Sequence, residues 1–289
     1  MYKAVSPGAI GVRPRDLNDA IAGAQQAGFA GLEFNAGEVA NLIDQHGADH
    51  VRALFGAARL RPAGFGLPTD WRGPEEKWRG NLAELPRLAQ AAAAIGATRT
   101  TTWIMPCSND RSFDENRAFH VERFTPIAEI LADHGISLGL EFIGPKTLRD
   151  SQQYPFIHTM EEMLRMGAEI GPNAGLLLDA FHWYTSGSTV EALRLLRPEQ
   201  VVYVHVNDAQ AGRAPDEQID NQRALPGETG VIDIAAFLQT LQQIGYDGPV
   251  VAEPFKPELN DLPSDEARLE AISRSLDDIF NQAGITPLA

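Results

Sequence analysis

Eight times along the chain, a short apolar or β-branched run is followed by a longer segment with apolar residues at helical spacing. Strand runs are expected over 4–6, 31–35, 62–67, 97–104, 137–143, 175–179, 201–207 and 250–253. Helices are expected over 15–27, 38–60, 74–95, 114–134, 160–170, 190–196, 233–244 and 264–282. Gly28, Gly135 and Gly245 follow three of these helices as stop signals. Strict β-then-α alternation implies a parallel sheet, because parallel strands need crossover connections. The strand runs are apolar on both faces, as strands covered on both sides should be. Eight such units can close into a (β/α)8 barrel, and an open doubly wound sheet is the competing arrangement. No linker or low-complexity tract interrupts the 289 residues, so a single domain over 1–289 is expected.

Composition narrows the function classes. The formal net charge is −15, whereas a protein that binds nucleic acid or an anionic membrane normally carries a basic footprint. A small, neutral or cation-chelated ligand fits this balance better. The lone cysteine, Cys107, excludes an internal disulfide framework. The first residues lack the apolar core of a signal peptide, and no apolar run approaches the ~18–20 residues of a membrane span. A cytoplasmic location is therefore expected.

In a barrel of this kind the chemistry lies at the carboxyl ends of the strands. Four consecutive strand runs carry an ionisable residue there: Leu138-Gly139-Leu140-Glu141-Phe142, Leu176-Leu177-Leu178-Asp179, Val202-Tyr203-Val204-His205-Val206 and Val250-Val251-Ala252-Glu253. Each has an ordinary explanation when taken alone. Glu141 could pair with Lys146, Asp179 could cap the next segment, His205 could be a satisfied core histidine, and Glu253 before Pro254 could be a surface residue. Together they are harder to accommodate. Burying three neighbouring carboxylates costs several kcal/mol each unless positive charge compensates, and no lysine or arginine lies within these four runs. One divalent cation would compensate. Three carboxylates and an imidazole suit Mn2+, Mg2+, Co2+ or Zn2+, and the absence of cysteine argues against a structural zinc site.

These segments resemble the xylose-isomerase-like TIM barrels, the sugar phosphate isomerases and epimerases. The likeness extends over the whole chain and is strongest from Leu138 onward. It includes Leu178-Asp179-Ala180-Phe181-His182, Val204-His205-Val206-Asn207-Asp208, Leu225-Pro226-Gly227-Glu228 and Gly245-Tyr246-Asp247-Gly248. The resemblance implies that Glu141, Asp179, His205 and Glu253 bind one metal ion, with Mn2+ favoured over Mg2+, Co2+ or Zn2+. It implies that Glu141 and Glu253 are also the acid/base pair. The reaction class it implies, as in ketose 3-epimerases and inosose isomerases, is isomerisation or epimerisation of a ketose or keto-cyclitol through an enediolate. His182 matches the family's substrate-contacting histidine, or else supports Asp179. Arg223, ahead of Arg213, is the candidate substrate arginine from the loop after strand seven. Glu33 is a further substrate contact, and Trp103 and Phe65 are candidates for an apolar wall. Lys146 is a candidate contact to a substrate oxygen, and Asn207 and Asp208 are candidates to orient His205. Related barrels form dimers or tetramers, so a homodimer or homotetramer is implied.

Three rival readings share these residues. A lyase or dehydratase would use the same enediolate to expel a β-substituent from a keto-sugar, inosose or keto-glycoside. An apurinic-site endonuclease would need further histidines at strand ends, and strands three and four end in Gly64-Phe65-Gly66 and Thr102-Trp103-Ile104. A sugar-binding scaffold would not need four competent ligands.

Overall fold

The computed structural model describes residues 1–288. Eight parallel strands close into a barrel: β1 (Tyr2–Val5), β2 (Gly31–Glu33), β3 (Arg61–Gly66), β4 (Arg99–Ile104), β5 (Ser137–Phe142), β6 (Ala174–Asp179), β7 (Val201–Val206) and β8 (Pro249–Ala252). Each pairs with its sequence neighbours, and β1 pairs with β8 to complete the ring. The open-sheet alternative is thereby excluded.

Local chemistry starts and stops the surrounding helices. Side-chain oxygens of Asp16, Asn35, Thr159, Asp233 and Ser264 each accept an amide hydrogen bond from the first turn of their helix, satisfying donors that the helix itself cannot. The helix expected over 38–60 is two helices, Ala36–His46 and Ala48–Ala58. Gly47 divides them at φ 83° and ψ 158°, a conformation open to glycine and costly for other residues. Three small elements were absent from the sequence expectation: the helix Lys146–Arg149, the helix Ala180–Thr185, and an antiparallel ribbon of Cys107–Ser108 with Tyr154–Pro155.

Strand alternation sorts the side chains. Val5, Leu32, Leu138, Leu140, Leu176, Leu178, Val204 and Val250 join the large core between sheet and helices. Tyr2, Ala4, Ala63, Leu177, Tyr203 and Val251 form a separate cluster inside the barrel. Interior space is tight: a Cβ on Gly31 would lie 2.6 Å from the Tyr2 ring, and one on Gly175 would lie 2.7 Å from the Gln200 carbonyl oxygen. No helix is long and apolar enough to cross a membrane among the described residues.

Candidate metal centre at the barrel mouth

The period of two along a strand now places the site. Gly139, Leu177, Tyr203 and Val251 face the barrel interior. Two residues further on, Glu141, Asp179, His205 and Glu253 face the same way, at the carboxyl-terminal mouth. Backbone pairing holds them in register. Asp179 is the Cα partner of His205, and Glu253 N–H donates to the Val206 carbonyl just beyond the β8 ladder.

The four side chains converge, with one potential ligand atom from each lying within 4.8 Å of the others. His205 Nδ1 is 3.4 Å from Glu253 Oε2, 3.6 Å from Glu141 Oε1 and 4.0 Å from Asp179 Oδ2. These separations are long for hydrogen bonds. His205 Nδ1 and Glu141 Oε1 are both buried with no hydrogen-bond partner, and leaving buried polar atoms unpaired is costly. A divalent cation among oxygen and imidazole donors would satisfy both at once, so the residues present fit such an ion.

Charge also points that way. Burial first, then the Glu253 and Asp179 carboxylates, raise Glu141 to about 8. His205 would be lowered by burial, but Glu253 and Glu141 hold it well above its ordinary value. Asp179 would be raised by burial, yet Arg223, His182 and His205 keep it at about 2. Burial and crowding among the carboxylates thus favour the protonated form of Glu141, and a bound cation would favour its ionised form instead.

Arg223 is the one guanidinium inside this cluster. The loop after β7 brings it in, so the carboxylates have more compensation than the strands alone suggested. Its Nη1 donates to Asp179 Oδ2 at 3.0 Å and to Glu253 Oε2 at 3.3 Å, and its Nη2 donates to Asp220 Oδ1 at 2.9 Å. Phe181 and Phe255 cover its two faces, each ring centroid 4.7 Å away.

Asp179 does two jobs. Oδ1 accepts from the amides of Phe181 and His182, capping the helix Ala180–Thr185, while Oδ2 accepts from Arg223 and from Asn207 Nδ2. That cap carries His182 into the site. The Gly144 amide lies 3.2 Å from His182 Nδ1 and Arg223 Nη2 lies 3.2 Å from Nε2, so both ring nitrogens face N–H donors and a neutral ring accepts from one of them. Nε2 lies 3.7 Å from Asp220 Oδ1 and 3.9 Å from Glu141 Oε1. Burial, reinforced by Arg223, lowers the His182 pKa and favours that neutral form.

The model of the family described as "Xylose isomerase-like TIM barrel" matches residues 21–278. The chain belongs to this family. An inosose isomerase of Bacillus velezensis is 24% identical over 231 residues, covering 78% of either chain. An L-ribulose 3-epimerase of Methylomonas sp. is 29% identical over 148 residues, 51% of this chain and 45% of that one. Among solved structures, a xylose isomerase domain protein from Alicyclobacillus acidocaldarius superposes with a TM-score of 0.85 at 29% identity, covering 98% of this chain and 99% of that one. The IolI protein, solved with a bound zinc atom, shares the fold with a TM-score of 0.78 at 20% identity, covering 98% of this chain and 99% of that one.

Other sequence expectations divide on geometry. This xylose isomerase-like barrel brings Glu33 to the edge of the cluster. Ser6 Oγ and Tyr203 Oη donate to its two oxygens at 3.0 and 3.3 Å, and burial, with Glu253 nearby, raises its pKa. Arg213 stays on the outer loop, donating to Gln222 Oε1. Lys146 pairs with Asp216 at 3.3 Å, not with Glu141. Asn207 orients Asp179 rather than His205. Asp208 accepts the amides of Thr229, Gly230 and Ile232 and so shapes a loop instead of supporting the histidine. Trp103 stands at the mouth, 46% exposed, but Phe65 is buried and packs on Phe34 in the outer core. The reason is a register shift between β2 and β3, where Glu33 pairs with Gly64. Asp220 was missed; its only sequence signal is its place three residues before Arg223.

Proposed function

We propose that this chain is a divalent-metal-dependent isomerase or epimerase of a ketose or keto-cyclitol, with Glu141 and Glu253 as the proton-transferring pair. The observation that carries this reading is the meeting of three carboxylate oxygens and an imidazole nitrogen at four adjacent strand ends, with Glu141 Oε1 and His205 Nδ1 buried and unpartnered. Relatives named inosose isomerase and L-ribulose 3-epimerase support the substrate class and the reaction.

Glu141, Asp179, His205 and Glu253 would hold the ion, which when bound supplies Lewis acidity to a carbonyl and charge stabilisation to an enediolate. The chain's own groups do the rest. Glu141 on β5 and Glu253 beyond β8 approach the mouth from two sides, an arrangement suited to removing a proton from one face of a carbon and returning it at the other. Arg223 holds Glu253 and Asp179 in place and reaches His182 Nε2 at 3.2 Å, which keeps the imidazole beside the site for contact with a substrate oxygen. In this reading Glu33 contacts substrate from the far edge.

Metal analysis of the purified protein, followed by NMR of keto-sugars and inososes in deuterated buffer with Mn2+, tests this proposal. Deuterium should enter the carbon beside the carbonyl, and Glu253→Gln should slow that exchange by about 10²–10⁴-fold, the usual contribution of a positioned acid or base. Exchange that survives Glu253→Gln, or none in metal-loaded protein across the panel, overturns it.

A further inference from the structure

On the β3–β4 side of the mouth the surroundings are aromatic. Along β4, Thr101 faces the interior, where its methyl would meet a Cβ on Gly139 at 3.2 Å. Trp103, two residues on, faces the mouth as the Cα partner of Glu141, across a strand spacing of about 4.8 Å. The Arg72 guanidinium lies between two indoles, its Cζ 3.9 Å from the Trp103 ring centroid and 4.0 Å from that of Trp71. Trp71 is itself fixed: Nε1–H donates to Thr102 Oγ1 at 3.2 Å, and the ring packs on Phe124 and His120.

Stacking on both faces leaves a guanidinium only its edge for hydrogen bonding, and it holds that edge in one plane. One Arg72 N–H is used by the Trp103 carbonyl. Among the described residues, Arg72 has no carboxylate within ion-pair distance. Asp70, the acid that influences it, is held by Lys77 at 2.7 Å and by the Gly73 amide. Arg72 is exposed at the rim, and partial burial of its guanidinium against the rings lowers its pKa to about 10, against the weaker pull of Asp70. A cation clamped in place without a counter-ion, in a chain of net charge −15, is prepared for an anion brought from outside.

We propose that Arg72, held between Trp71 and Trp103, binds an oxyanion substituent of the substrate, so that the substrate class is an acidic keto-sugar. This rests on the isomerase reading above for the word substrate, while the anion contact itself does not. A planar carboxylate or a phosphate would each accept two N–H donors from the free edge, with the sugar ring against the exposed face of Trp103 and its carbonyl end toward Glu141.

The test uses a matched series, fructose, fructuronate and fructose 6-phosphate, on metal-loaded wild type and Arg72→Gln. Binding is read from tryptophan fluorescence, and exchange from deuterium incorporation. Wild type should bind one of the acidic sugars about ten- to a hundredfold more tightly than fructose, the range of a charge-assisted hydrogen bond. Arg72→Gln should bring that ratio close to one. Preference for fructuronate identifies a carboxylate, and preference for fructose 6-phosphate a phosphate. Equal binding of all three by wild type overturns the proposal, as does a preference that survives Arg72→Gln. A charge preference lost in Arg72→Gln without any exchange leaves the anion site standing and removes the isomerase reading instead.

Discussion

Two arginines reach the mouth of this barrel, and each lies between two aromatic rings. Arg223 sits between Phe181 and Phe255, and Arg72 between Trp71 and Trp103. Their electrostatic settings are opposite. Arg223 is buried and bonded to Asp179, Asp220 and Glu253, whereas Arg72 has a carbonyl and no carboxylate. Two histidines repeat the contrast. His205 stands among carboxylates that hold its pKa well above the ordinary value, while His120 stands among Trp71, Phe119, Phe124 and Phe156, and burial lowers it to about 4. The β5–β8 side is thus a network of charges that answer one another. The β3–β4 side is a ring-lined rim whose cation is left for a ligand. Stacking alone does not assign a role to an arginine; the presence or absence of a counter-ion does.

The comparison breaks most visibly in stability. Replacing Arg223 with Met leaves Asp179 and Glu253 without their cation, a change that costs about 3–5 kcal/mol for a buried pair. Replacing Arg72 with Met removes two stacking contacts at an exposed edge, each worth about 0.5–1 kcal/mol, and one hydrogen bond to the Trp103 carbonyl worth about 1 kcal/mol. Urea unfolding of the two metal-free variants measures both. Similar losses would mean that the two arginines are equivalent, against the assignment made above.

A second difference concerns metal. His205→Ala removes one of four donors, so Mn2+ affinity, measured by competition with a chelator, should fall by more than the ~10–100-fold that loss of an outer hydrogen-bond partner causes. His120→Ala should leave it unchanged. Unaltered affinity in His205→Ala would exclude that histidine as a ligand.

Much of the β5–β8 side was legible in the sequence because its signal is periodic. An ionisable residue at the end of an apolar strand run has one direction to face, two positions after an interior residue, and Glu141, Asp179, His205 and Glu253 all follow that rule. Arg223 and Asp220 lie in a loop with no period, so nothing in their spacing shows that one guanidinium would join Asp179, Glu253 and Asp220. Trp71 and Arg72 lie in another such loop, and their sandwich exists only because β4 ends beside it. Phe65 was misplaced for the opposite reason. Its strand has the expected pattern, but the shift at Glu33 and Gly64 turns the side chain outward. Gly47 was hidden within a helical pattern, since a lone glycine is tolerated there and only its φ of 83° shows the break.

The smallest expected effect is the pH dependence that His120 gives the rim. Its Nδ1 is 2.6 Å from the Asn116 carbonyl, and Arg72 and Arg111 add to the burial that disfavours its charged form. The folded pKa of about 4 lies below the ordinary value of about 6.5 expected when unfolded. Between these values the unfolded chain binds more protons, so stability is complete above about pH 6.5 and is lost as pH falls toward 4. From pH 7 to 5.5 this one group should lower stability by about 1 kcal/mol. His120→Phe keeps a ring against Trp71 and Phe156 and removes the titration. Urea midpoints at the two pH values should therefore fall less in the variant than in wild type, although the variant starts lower at pH 7 for want of the Asn116 hydrogen bond. His205 cannot produce this loss, because a folded pKa held above the unfolded one makes protonation stabilising as pH falls. Equal pH dependence in wild type and His120→Phe would show that the aromatic rim accommodates a charged imidazole, and the contrast between the two histidines would then fail.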